Sequence, residues 1–443
     1  MNAPAAQVGP AARLARLLGI ESSELLPVAW SFAYFFCLLA AYYMLRPVRE
    51  AMAIVGGTAN IPWLFTGTFV VMLVIATPAF GWVTSRYPRR RFLPWVYYFF
   101  IVNIALFYAG FLLLAGSGTP EVWLSRAFFV WLSVFNLFVV SVFWSFMADI
   151  WNREQGRRLF GVISAGGSTG ALAGPLLTSV LVEPLGAHNL LPLSALLLGF
   201  AVVCVLRLRR WASGQQATPG TAPVDRSLPI GGKALAGIKL VATTPYLASI
   251  AAALMIANFL GVFIYMYMAV LVDETFSGTD RHTQVFALLD ALTNALSFIG
   301  QLIVVRYSVR RIGVGLTLTI LPLVSVAGFL LLALHPVFAV MAGLQVLRRS
   351  ITFGLSKPTS HMLDSVVSRA AKYKAKNFVE TTIYRGGDLF ATWTIRYLGS
   401  LGIGISGVAL VCAALAVGWI VLALKIGRDY AERDAALKQG ETA

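Results

Sequence analysis

FALLDALTNALSFIGQLIVVRYSVRR, from Phe286 to Arg311, is a long apolar run with one acidic residue, Asp290, and a basic end. Asp290, Asn294, Ser297 and Gln301 follow the i, i+4, i+7, i+11 spacing of one helical face. A polar line inside a membrane-grade segment is costly unless it faces a bundle interior or an aqueous path. The stretch therefore predicts a membrane-spanning helix with its stripe turned inward. Arg306, Arg310 and Arg311 mark where it leaves the bilayer.

The rest of the chain agrees with this reading. Hydrophobic residues make up 58% of the 443, charged residues 12%, and mean hydropathy is +0.77. Soluble domains carry about 25% charged residues, so the sequence predicts an integral membrane protein. A β-barrel would alternate apolar and polar residues in segments of about 10, whereas the runs here are long and continuous. The formal charge of +16 would suggest nucleic acid in a soluble protein. Here the basic residues sit in short loops between spans, so the partner is the lipid bilayer and no nucleic acid is expected. Cys37, Cys204 and Cys412 lie in apolar segments without metal-type spacing, so neither a disulfide framework nor a cofactor is expected. Arg13 and Arg16 precede an apolar run too long for a signal peptide, which predicts a retained first span.

Apolar runs predict twelve helices, near 26–54, 62–85, 92–115, 121–147, 160–182, 189–208, 245–272, 283–306, 312–333, 336–355, 376–399 and 402–426. RRWASGQQATPGTAPVDRSLPIGGK, Arg209 to Lys233, reads as a flexible linker. The expected fold is all-α: a segment 1–25, a six-helix half 26–208, a linker 209–244, a second six-helix half 245–426, and a tail 427–443. One side of the membrane collects Arg86 with Arg89 to Arg91, Arg153, Arg157 and Arg158, and Arg207, Arg209 and Arg210. It also collects Arg306, Arg310 and Arg311, the cluster from Arg348 to Lys376, and Lys425 with Arg428. The opposite loops hold little basic beyond Arg126 and Arg281, which places both termini and the linker in the cytoplasm.

The halves echo each other. GWVTSRYPRRR (Gly81 to Arg91) ends the second span and GQLIVVRYSVRR (Gly300 to Arg311) ends the eighth. Parallel six-span repeats around a central linker resemble the plan of major-facilitator transporters. The first loop resembles that superfamily's Gly-x-x-x-Asp-x-x-Gly-Arg-Arg motif, with Ser85 and Pro88 in place of its Asp and second Gly.

Several polar groups interrupt the spans. Tyr42, Arg46 and Arg49 share one face of the first helix, where guanidinium groups match phosphate or carboxylate geometry, or else snorkel to the membrane surface. Asp290 either takes a coupling proton or balances an arginine such as Arg385. Asn258 and Tyr265 lie seven apart on the seventh span, and Asn258 serves a ligand or a neighbouring helix. In KYKAKNFVETTIYRGGDLFATWTIRY (Lys372 to Tyr397), the residues Thr381, Arg385, Asp388, Thr392 and Arg396 form a second stripe. Arg385 and Asp388 either serve the substrate or neutralise each other, and Gly386 with Gly387 allows a close approach or a break. Gly166, Gly170 and Gly174 in FGVISAGGSTGALAGP read as helix packing. The phosphate-loop pattern is absent from the chain, which excludes that type of ATP-driven pump. In MADIWNREQGRRLFG, the residues Asp149, Glu154, Arg157 and Arg158 form an ion-pair gate or a plain solvated loop. Lys374, Lys376 and Glu380 lie in the corresponding cluster of the other half, which steers anions or merely satisfies topology.

These segments resemble the plastid and parasite type of ATP/ADP translocase, in its bacterial branch. Leu45-Arg46-Pro47-Val48-Arg49-Glu50 matches the family's Leu-Arg-x-x-Lys-Asp, with Arg49 for Lys and Glu50 for Asp. Glu154, Arg157, Arg158 and Phe160 match its loop before helix five. Lys357-Pro358-Thr359, Lys374-Ala375-Lys376 and Arg385-Gly386-Gly387 match its tenth loop and eleventh helix. The resemblance implies transport roles for Arg49, Glu154, Asp290, and Lys376 or Arg385, and a monomeric nucleotide exchanger, not an enzyme, of the bacterial inner membrane. A proton-coupled porter, with Asp290 or Glu380 titrating, and a non-transporting receptor or scaffold are the competing expectations.

Overall fold

A 31-residue helix, α1 (Leu25–Val55), begins the computed structural model, which describes residues 20–21, 23–86, 89–215, 240–241, 243–366 and 383–441. No strand occurs among them. A 3-10 turn at Thr58–Asn60 leads into α2, built from Ile61–Val70, a π-helical turn Val71–Ala76, and Thr77–Arg86. Then come α3 (Arg89–Leu114), α4 (Thr119–Ile150), α5 (Arg153–Leu185) and α6 (Leu190–Gln215). The second half begins with α7 (Pro245–Thr275). α8 runs from Thr279–Ile299 through a π-helical turn, Gly300–Val304, into Val305–Leu334. Gly313, at φ +79°, breaks that last helix and starts α9. Only glycine takes this left-handed backbone without strain. α10 is Phe338–Ile351, a π-helical turn Thr352–Ser356, and Lys357–Leu363. α11 (Tyr384–Ser400) and α12 (Ile405–Glu441) complete twelve rods, two halves of six, among the described residues.

Nine stretches among the described residues are long and apolar enough to cross a membrane. One of them, Thr279–Leu334, holds both α8 and α9. The remaining rods are α10 and α11, shorter or more polar than the rest. The expected helix ends shift where local chemistry overrides hydropathy. α5 starts at Arg153 rather than near 160 because Asn152 and Gln155 form a reciprocal capping box. α12 runs on to Glu441, past the expected end at 426, as a polar extension with no buried residue between 427 and 439.

Helix packing relies on small residues. A Cβ added at Gly166, Gly170 or Gly174 of α5 would stand 2.4, 2.3 and 2.7 Å from the carbonyl oxygens of Phe32, Phe36 and Ala40 on α1. The expected packing role of these glycines is therefore met in α1 and α5. The π turns of α8 and α10 meet in the same manner. A Cβ on Gly354 would lie 3.0 Å from the Ser297 carbonyl oxygen and 3.3 Å from Gly300 Cα. Small residues let two backbones touch where an i→i+5 turn widens each helix.

The described residues form two compact units. One holds the chain up to Met52 and from Val70 to α6, and the other holds Ala53–Phe69 and the chain from α7 onward. The placement of Ala53–Phe69 differs from the expected half 26–208. Its side chains explain this. Ile54 and Ile61 join the apolar core built on Tyr246, Phe263 and Phe329. Phe65 meets Tyr265 edge-on at 5.3 Å, and Trp63 meets Trp393 at 4.9 Å.

Candidate functional site

In the first unit, the Glu50 carboxylate pairs with both Arg46 and Arg49. Arg49 donates from Nη2 to Glu50 Oε1, while Arg46 Nε stands 3.9 Å from the same oxygen. Arg49 Nη1 also donates to Ser133 Oγ on α4 at 3.4 Å. The side chains of Arg46 and Arg49 are 19% and 13% exposed, so neither snorkels to an open helix end. Aromatic rings line the pair: Arg46 lies over Tyr43 at 5.7 Å and Arg49 over Phe129 at 4.9 Å. Tyr42 is buried against Tyr43 and Phe135, and belongs to this wall rather than to the ion pairs described. Taking two guanidinium groups from water costs several kcal/mol per ion, of order. One shared carboxylate and two ring faces offset part of it. A guanidinium carries five donors in a planar fork, suited to a bidentate oxyanion.

In the second unit, Asp290 is 4% exposed and bonds to Arg349 Nη1 on α10 at 2.7 Å. The expected partner was Arg385. Arg385 is on the first turn of α11, and its side chain lies outside the described residues. Neighbouring Arg348 is buried and donates to the Ala257 carbonyl of α7. Gly261 makes room for it, since a Cβ there would stand 3.3 Å from Arg348 Nη1. On the same face of α7, Asn258 Nδ2 is 3.0 Å from where a Cβ on Gly387 would be, so Asn258 is a helix-packing contact of α11. Asn294 is half-buried one turn beyond Asp290, and Asp388 is half-buried on α11.

Asp290 and Ser297 are buried, but Gln301 is exposed and donates to the Phe353 carbonyl at 3.1 Å. Gln301 thus continues the stripe toward α10, the helix that also carries Arg349 beside Asp290. On α11, Thr392 is buried and bonds to the carbonyls of Asp388 and Leu389 in its own helix. Arg396 is exposed and donates to the Ala59 carbonyl at 2.7 Å. Thr381, Lys374, Lys376 and Glu380 lie outside the described residues.

At the α1–α5 junction, Arg158 Nη2 bonds to Glu24 Oε1 at 2.8 Å and lies 3.2 Å from Glu21 Oε1. Gln155 Nε2 adds a bond to Glu24 at 2.9 Å. Of the expected quartet, Arg158 is drawn into this network, while Asp149, Glu154 and Arg157 are exposed. Sequence reasoning missed Glu24, Ser133 and Arg349. A carboxylate immediately before an apolar run was the available signal for Glu24. Arg349 was hidden because it reads as part of the basic cluster from Arg348 to Lys376, whereas α10 continues past it to Leu363.

Residues 27–377 match the model of the Major Facilitator Superfamily. No curated protein matches the chain. The fold is similar to the POT family transporter PepTSo, with TM-score 0.61, 11% identity, and 92% of this chain and 98% of that one covered. It is similar to a bacterial homologue of the iron transporter ferroportin in an inward-facing state, at TM-score 0.60, 14% identity, and coverage of 92% and 98%. It is also similar to a mutant of the nucleoside transporter NupG, at TM-score 0.59, 13% identity, and coverage of 90% and 99%. At such identities the likeness is one of fold. With the family model matched over most of its length, the chain belongs to the Major Facilitator Superfamily.

Proposed function

We propose that this protein is a secondary active transporter of phosphorylated, anionic metabolites, with nucleotides carried by exchange as the leading case. The observation that supports it best is the Arg46–Arg49–Glu50 centre, lined by Tyr43 and Phe129. Guanidinium forks suit phosphoryl oxygens, and an aromatic wall suits a base, which stacks on any ring face. A scaffold has no need of buried arginines, whose burial is costly. The resemblance of Leu45–Glu50 to the translocase motif points the same way. The proposal includes alternating access, a bacterial inner-membrane location with both termini cytoplasmic, and a monomer.

The test is uptake of labelled ADP into proteoliposomes loaded with ATP, with ADP, or with buffer alone. Uptake accelerated by lumenal nucleotide, and lost in Arg49→Ala, is the expected result. If neither ATP nor ADP enters or stimulates from the other side, the nucleotide reading is dropped. A second reading, a proton-coupled porter, is favoured by the buried carboxylate of Asp290. It predicts uptake driven by an imposed pH gradient into vesicles that hold no counter-substrate.

A further inference from the structure

A buried carboxylate is ion-paired to arginine in each unit: Glu50 with Arg46 and Arg49 in the first, Asp290 with Arg349 in the second. In the second unit the partners are unequally exposed. The Asp290 side chain is 5% exposed and that of Arg349 is 20%. The carboxylate is thus the inner partner, and the guanidinium is the one that reaches accessible space. Arg348 points elsewhere, to a backbone carbonyl of α7. The contact of α8 with α10 fixes where Arg349 stands. Ser350 Oγ donates to the Thr293 carbonyl at 3.2 Å, and Gly300 meets Gly354 one π turn further on.

We propose that Asp290 is an internal stand-in for the transported anion: it occupies Arg349 in the empty protein and yields it to a phosphoryl group of the substrate. This rests on the anion-transport reading above, and adds a second anion-binding group with a built-in competitor. The chemistry is that of two oxyanions competing for one planar fork. The apparent affinity falls by the fraction of time the fork is open. If Asp290 holds Arg349 nine-tenths of the time, removing its charge tightens binding about tenfold. A purely structural ion pair predicts instead a loss of stability with no gain in affinity.

The experiment is calorimetric titration of the full-length purified protein with ADP and, separately, with inorganic phosphate. The proteins compared are wild type, Asp290→Asn, the neutral double variant Asp290→Asn/Arg349→Gln, and Arg49→Gln. Repeating the ADP titration in nanodiscs with and without phosphatidylglycerol separates a free anion from a lipid headgroup as the natural occupant. The expected result is ADP binding about tenfold tighter in Asp290→Asn, with the gain lost in the double variant. The double variant removes both charges, so it avoids leaving one of them buried and alone. Wild-type affinity in Asp290→Asn, or equal tightness in the single and double variants, overturns the proposal. If Arg49→Gln loses ADP while Asp290→Asn matches wild type, the transport reading stands and this inference falls. If wild type binds neither probe, both fall. If Asp290→Asn gains affinity only where phosphatidylglycerol is absent, the headgroup is the competitor for Arg349 and the substrate role is overturned.

Discussion

Glu24, buried at the start of α1, is held by Arg158 Nη2 of α5 at 2.8 Å, and Gln155 of the same helix reinforces the bond at 2.9 Å. Gln155 also closes the capping box with Asn152, so one side chain ties the helix cap to the buried carboxylate. Arg158→Gln strands that carboxylate. The expected cost is about 3 kcal/mol, the low end for removing one partner of a buried pair, because Arg158 is itself 33% exposed. Glu24→Gln/Arg158→Gln removes both charges and recovers most of the loss. Thermal unfolding followed by tryptophan fluorescence reads both. A double variant no more stable than Arg158→Gln would show that the pair does not act through charge.

The α1–α5 contact makes a second prediction. A methyl group at Gly170 would sit 2.3 Å from the Phe36 carbonyl oxygen, and backbone on both sides leaves nothing flexible to give way. Gly170→Ala is expected to destabilise by about 1–3 kcal/mol, as other overpacked sites do. Gly161, on the same helix, has nothing within 4 Å of its added Cβ. Gly161→Ala is therefore expected to be neutral, or stabilising by about 0.5–1 kcal/mol. Equal melting temperatures for the two variants would contradict the packing account.

Trp393 of α11 gives a third. Its Nε1 donates to Thr66 Oγ1 at 3.1 Å while its ring meets Trp63 edge-on at 4.9 Å. Trp393→Phe keeps a ring and loses the donor, for an expected cost of about 1 kcal/mol. Trp393→Ala also loses the ring, for about 3–5 kcal/mol. Chemical-denaturant midpoints separate the two. A Trp393→Ala midpoint equal to that of wild type would show that Ala53–Phe69 is not held by this ring.

The stripe on α8 was legible because a face is set by local spacing: Asp290 and Ser297 recur at helical intervals and are buried. What each polar group binds was not legible. Arg349 stands 59 residues from Asp290, and Arg158 stands 134 from Glu24. Nothing in a local pattern pairs residues so far apart. The π turns were also invisible, since Gly300–Val304 and Thr352–Ser356 have ordinary apolar composition. They lie where α8 and α10 touch backbone to backbone, at Gly300 and Gly354. Composition and hydropathy determined the class of fold and its twelve rods. Side-chain partners across helices came only from the folded chain.

Arg49 provides the sharpest test of the site. Its guanidinium meets Glu50, donates to Ser133 Oγ at 3.4 Å and lies over Phe129 at 4.9 Å. Lysine keeps the charge but is a compact ammonium without the planar fork, so it cannot hold these groups and a phosphoryl oxygen together. Arg49→Lys is expected to raise KM for nucleotide about tenfold or more, the loss of a charge-assisted bond, with maximal transport retained. Arg49→Gln leaves Arg46 as the partner for Glu50, so folding persists while transport is abolished. Ser133→Ala removes a long, weak bond and should change KM about twofold. Initial rates of labelled ADP uptake across a concentration series separate the three. Wild-type KM in Arg49→Lys would show that charge alone suffices, and that the geometry of the fork is not what selects the substrate.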